Sequence, residues 1–208
     1  GFLLSCQQIG AIFSMALLVL FQKKLKQSSI MSTGYIIIAL SFLGITLNQQ
    51  TFFLFAGYTA LGIGAFLVDS GSNSYIASAY FEKRALYIPL LHFMYSVGAI
   101  VTGFIIVPFK NSSWPFAYFS VAIIILIILI LRAWSIKNLD KVKNKKVIQD
   151  REQGPVKELL KDQSFILYTL VIMLYMGSQL ICSAWIPVFV EKELGQSATI
   201  TGASLTVF

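Results

Sequence analysis

Charge is scarce in this chain. Asp, Glu, Lys and Arg make up 12% of its 208 residues, against 57% hydrophobic, and there is a single histidine. One histidine and two cysteines supply no metal-ligand cluster, and no P-loop or nucleophile–base pair occurs in the sequence. Catalysis therefore has no residues to run on, and the expectation is a non-enzyme without a cofactor. Cys6 and Cys182 both fall in apolar runs, where a thiol serves as a small apolar filler; nothing supports a disulfide between them. Acids are the rarer charge, nine in all, and almost all sit in polar connections. Asp69 is the exception.

Apolar length is what the chain does have. A mean hydropathy of +0.77 lies far outside the soluble range, and the apolar runs approach the ~20 residues of a membrane-crossing helix. Crossings are predicted at 1–21, 30–47, 52–80, 86–108, 114–133 and 163–190, with a seventh beginning near residue 197. The chain opens on a Gly already inside an apolar run, so it reads as the interior of a longer protein. "VAIIILIILIL" within 114–133 has no polar side-chain atom and is expected to face lipid all round.

The net charge of +7 raises nucleic acid as a partner, but its distribution points elsewhere. All of the sixteen Lys and Arg except Lys110 and Lys192 belong to alternate connections. Positive charge accumulates in cytoplasmic loops, which places 22–29, 81–85 and 134–162 in the cytoplasm of a multi-pass protein of the cell membrane. The charge is a topology signal, and no nucleic-acid partner is expected. The opposite connections, 48–51, 109–113 and 191–196, are short enough to join antiparallel neighbours. The long connection carries a Gly154-Pro155 break and then "VKELLKD", which reads as a short amphipathic helix. This gives a first helical bundle over 1–133, a linker over 134–162 and the start of a second bundle over 163–208. The organisation is that of a two-domain transporter, with a polytopic protein bearing one long loop as the other reading.

"VDSGSNSYIASAYFEKR", residues 68–84, holds the principal site candidate. Asp69 lies roughly 5 Å from the middle of its predicted helix, toward the basic side. An Asp near the bilayer centre costs about 2.5–3.5 kcal/mol, so it normally faces a bundle interior or a watery cavity. Asn73 follows at i+4 and can share a hydrogen-bond network with it. Gly62, two turns earlier on that side, is expected to leave open space. On the next helix His92 falls at a similar depth, where a carboxylate and an imidazole are able to pair and exchange protons. Asp69 and His92 are thus the candidate proton-coupling groups. The plainer alternatives are a protonated Asp69 joining two helices and a His92 bonded to a backbone carbonyl.

His92, Ser96, Ala99 and Gly103 form a polar-to-small stripe, in which Gly98, Ala99 and Gly103 are expected to admit close helix approach. In "LYMGSQLICSAWIP", Tyr175, Gln179, Cys182 and Ser183 share a face. Trp185 beyond them is either a plate for a sugar ring or an interfacial anchor. Asn73, Ser96, Tyr175, Gln179, Trp185 and, more weakly, Gln7 are the candidate solute-binding residues.

"GIGAFLVDSGSNSYIA" followed by "ALYIPLLHFMYSVGAIVTG" resembles the fourth and fifth helices of the fucose–proton symporter family and its glucose-transporting relatives, within the major facilitator superfamily. "YMGSQLICSAWIP" is similar to the seventh helix of related bacterial members. The resemblance spans essentially the whole chain. It implies an all-α integral membrane protein covering about helices two to eight of twelve, and a monomer working by alternating access. It also implies a small polar solute, sugar favoured, with a proton or Na⁺ as coupling ion; Asp69 would be the protonation site, and Asn73 and His92 substrate-side groups. Two other functions stay open at this stage. One is efflux of an amphipathic drug or metabolite, which the 14% aromatic content would suit; the other is a non-transporting membrane sensor or scaffold that binds partners through 134–162.

Overall fold

The computed structural model describes residues 2–21, 27–106, 109, 114–139, 161–197 and 200–201. Six long helices dominate them, with no β-strand among the described residues. They are α1 (Phe2–Phe21), α2 (Gln27–Leu47), α3 (Thr51–Ala79), α4 (Arg84–Ile106), α5 (Pro115–Leu139) and α6 (Gln163–Lys192). All six contain a segment long and apolar enough to cross a membrane. The six full crossings expected are all present as helices, with two boundaries displaced. α2 starts at Gln27, ahead of its apolar run, and α5 continues past residue 133 to Leu139, into what the sequence suggested was linker. Polar residues at a helix end add backbone hydrogen bonds at the water boundary without entering lipid, so hydropathy alone places such ends short. The amphipathic segment at 156–162 and the seventh crossing lie almost wholly outside the described residues.

Local chemistry explains the turns. Between α2 and α3, the Gln50 N–H donates to the Asn48 side-chain oxygen at 3.0 Å, an Asx turn that reverses the chain in few residues. Between α3 and α4 the backbone tightens into a 3₁₀ turn, Phe81–Lys83, with Arg84 stacked 4.9 Å over the Phe81 ring. Asp162 caps α6 by accepting from the Ser164 N–H at 2.8 Å, which satisfies one of the orphan donors of the first turn. Gly195 just beyond α6 has φ +58, a left-handed conformation that glycine adopts without steric penalty.

Two compact units result, one formed by Gly1–His92 with Ser112–Val147 and the other by Phe93–Asn111 with Ile148–Phe208. In the first, α3 lies along both α1 and α2, and α5 lies along α2. Its buried apolar core is small: Ile30, Ala39, Ile45, Leu61, Ala117 and Ala122. Most other large apolar side chains are exposed, which is how a chain solvated by lipid buries its apolar surface. α5 shows the pattern plainly. Ala117 and Ala122 are buried, while Ile127, Ile128, Ile130 and Leu131 are open, so the helix is packed along a narrow strip of small residues rather than surrounded by lipid on every side. α6, in the other unit, has no buried residue.

Candidate functional site

Glycines bring α3 against its neighbours on two faces. Toward α1, a Cβ at Gly62 would land on the Gln7 carbonyl and one at Gly10 on the Thr59 carbonyl. Toward α2, Gly34 and Gly64 oppose each other, each hypothetical Cβ lying 2.8 Å from the other's carbonyl oxygen. Ser14 of α1, 2% exposed, donates across the first face to the Ile63 carbonyl at 3.3 Å. The open space expected beside Gly62 is therefore absent, because the α1 backbone fills it. Close approach, expected at Gly98, occurs here instead: a Cβ at Gly98 meets nothing within 4 Å. Ala99 and Gly103 lie outside the residues whose side chains are described.

The space opens lower down, at Asp69. Seven residues advance a helix by almost two full turns, so Asp69 continues the Gly62 stripe, yet it is exposed. Asn73 braces it. Its Nδ2 donates to Asp69 Oδ1 at 3.1 Å and to the Asp69 backbone carbonyl at 3.1 Å. The pair expected from i, i+4 spacing is thus formed, and an amide fixes one carboxylate oxygen from within the same helix. Such a pair can hold a proton or offer oxygen ligands to a hard cation.

The expected pairing of Asp69 with His92 is not made. Among the described residues the carboxylate is bonded to Asn73 alone. Depth along two consecutive helices says how far each residue sits from the membrane surface, whereas contact depends on the direction in which the intervening turn sends the second helix. His92 and Ser96 are exposed on α4. Gln7 enters the α3 surroundings through its backbone, at Gly62, and its side chain is half-buried.

On α6, Tyr175, Ser178, Gln179 and Cys182 line a shallow open groove. Three of the four residues expected to share a face are there, with Ser178 in the lining where Ser183 was expected. The serines are engaged in their own helix: Ser178 Oγ donates to the Tyr175 carbonyl and Ser183 Oγ to the Gln179 carbonyl, both at 2.8 Å. The Tyr175 hydroxyl and the Gln179 amide are left as the groove's polar groups. Trp185, next along the helix, is 67% exposed. Both Cys6 and Cys182 carry free thiols.

Three polar constellations escaped sequence reasoning. Gln27 Nε2 donates from α2 to Ser74 Oγ at 2.9 Å and Ser78 Oγ at 3.2 Å on α3, one turn beyond Asp69–Asn73. The Tyr58 and Tyr118 hydroxyls meet at 2.6 Å between α3 and α5. Arg132 of α5 reaches the α2 backbone at Ser28. Only the i, i+4 spacing of Ser74 and Ser78 was available as a signal, and it named no partner.

Among known families, the Major Facilitator Superfamily profile matches residues 1–208, the full length given. No curated protein and no solved structure matches the chain.

Proposed function

The chain belongs to the Major Facilitator Superfamily, and on that premise we propose that it is a secondary active carrier moving a small polar solute, with sugar favoured, by alternating access coupled to protons. The observation that carries the coupling is the Asp69–Asn73 pair: an acid inside a membrane-spanning helix, exposed on α3 and braced by one amide. An intramembrane acid on an open face is stable only against a watery cavity or a polar partner. Protonated, it is cheap to place in an apolar surround; ionised, it favours a hydrated one. A proton therefore has different affinity for two conformations, which is what a coupling ion needs in order to shift their populations. His92 is a further candidate to relay protons.

Sugar is favoured on the chemistry of the remaining candidates and on the resemblance to fucose-carrier helices. Asn73, Ser96, Tyr175, Gln179 and Gln7 offer donors and acceptors of the kind hydroxyl groups need, and Trp185 offers an apolar plate. The basic connections 22–29, 81–85 and 134–162 are assigned to the cytoplasm on charge. The test is solute-driven proton movement in proteoliposomes across a sugar panel, comparing the wild-type protein with Asp69→Asn and repeating the series with Na⁺ gradients. One sugar moving protons in wild type, with Asp69→Asn abolishing proton movement yet sparing solute exchange, is the expected result. A silent panel with both proteins alike would rule out coupled sugar transport and make Asp69 a structural residue.

A further inference from the structure

Arg132 is the first charged residue of α5 after a run of exposed apolar side chains that includes Ile127, Ile128, Ile130 and Leu131. Its side chain turns toward α2. Nη2 donates to the Ser28 carbonyl at 2.8 Å, and the guanidinium stands 5.8 Å from the Tyr35 ring centroid. Nη1 is buried with no hydrogen-bond partner among the described residues. A guanidinium presents five N–H donors, and among the described residues Arg132 has one hydrogen bond, to a carbonyl, and no carboxylate counter-ion. A buried polar group in that state points to an acceptor or ion that belongs there.

The setting says which acceptor. Ser28 lies in the first turn of α2 and Arg132 near the end of α5, so both mark the boundary where apolar helix gives way to the basic side. Lys23, Lys24 and Lys26 precede α2 in sequence, and Trp134, 68% exposed, follows two residues after Arg132, at the depth of an interfacial anchor. Acyl chains lying along the exposed isoleucines of α5 would bring their phosphate to this depth. Basic clusters at such a boundary attract anionic headgroups, and the planar fork of Arg suits phosphate oxygens in a way a lone ammonium does not.

We propose that Arg132 binds the phosphate of an anionic phospholipid from the leaflet on the basic side, with Ser28 and Tyr35 holding the guanidinium where α5 lies along α2. Arg132 is only half-buried as a residue, so rotation of its outer torsions presents Nη1 to the lipid while the charge stays at this depth. The site is independent of the transport reading, since it requires only that the chain spans a membrane.

The test measures lipid binding to the full chain in detergent by native mass spectrometry, with phosphatidylglycerol and phosphatidylcholine of identical acyl chains. Wild type is expected to prefer phosphatidylglycerol by about tenfold, the scale of one charge-assisted contact. Arg132→Gln removes the preference and Arg132→Lys keeps part of it. In wild type alone, which guards against a variant that fails to fold, the preference falls as salt rises. Equal preference in wild type and Arg132→Gln overturns the proposal. So does full competition by millimolar inorganic phosphate, which would mark a free-anion site. Absence of any preference in wild type also overturns it; an increase in that preference on neutralising Asp140, Asp150, Glu152 and Glu158 would then identify a linker carboxylate as the partner of Arg132.

Discussion

Replacing Gly64 with Ala tests whether glycine contact holds α2 and α3 together. The new Cβ would lie 2.7 Å from Ile38 Cγ1, 2.8 Å from the Gly34 carbonyl oxygen and 3.1 Å from the Ile38 nitrogen. Comfortable carbon contacts begin at about 3.5 Å, so the helices must part by several tenths of an ångström along a tightly packed face. Overpacking of this kind costs about 1–3 kcal/mol. Alanine's better helix propensity offsets up to ~1 kcal/mol, which is why the comparison must be made against another Gly→Ala. Gly44, on α2, meets nothing described within 4 Å and supplies that control, because the propensity gain is common to both. The difference between Gly64→Ala and Gly44→Ala is then about 1–3 kcal/mol, or roughly 2–12 °C in Tm for a chain of this size. Gly62→Ala should be worse than Gly64→Ala, since its Cβ would fall on the Gln7 carbonyl itself, closer than any contact at Gly64. The assay is thermal unfolding of the purified chain in detergent, followed by tryptophan fluorescence. Equal Tm for Gly64→Ala and Gly44→Ala would refute the argument.

The other expectations concern polar groups. In proteoliposomes, Asp69→Asn should abolish proton movement while leaving solute exchange within a fewfold of wild type. Tyr58→Phe and Tyr118→Phe should each destabilise the chain, and the double variant by less than the sum. A coupling energy of about 0.5–1.5 kcal/mol from chemical denaturation of all four proteins is expected; a coupling of zero would mean the 2.6 Å contact contributes nothing net. Gln27→Leu should loosen the α2–α3 end nearest the basic side, seen as faster backbone amide exchange at 74–80 with little change around 57–64.

Helix positions were legible because lipid imposes a length and an apolar composition on any segment that crosses it. The Asp69–Asn73 bond was legible because i, i+4 neighbours on a helix meet whatever surrounds them. Part of the α6 face was legible for the same reason, though spacing put Ser183 where Ser178 lines the groove and missed that both donate to their own helix. Similar depth allowed His92 to pair with Asp69 without requiring it, and among the described residues the Asp69 carboxylate bonds to Asn73 instead. The roles of Gly62 and Gly98 were exchanged: a glycine in sequence marks where approach is permitted, and only the partner helix decides whether approach occurs.

Sequence by itself determined that this chain is helical, lies in a membrane and carries one acid where lipid would not tolerate a solvated charge. Those properties depend on short-range chemistry: transfer energy, helix periodicity and the charge of the loops. Tertiary structure alone decided which stripe of α3 is closed by α1, that Asp69 stays open below it, and that Gln27, Ser14, Tyr118 and Arg132 find their partners 47 to 104 residues away along the chain. Such contacts depend on the crossing angles and offsets of whole helices, which are set by packing summed over entire faces and leave no mark at the residues that meet.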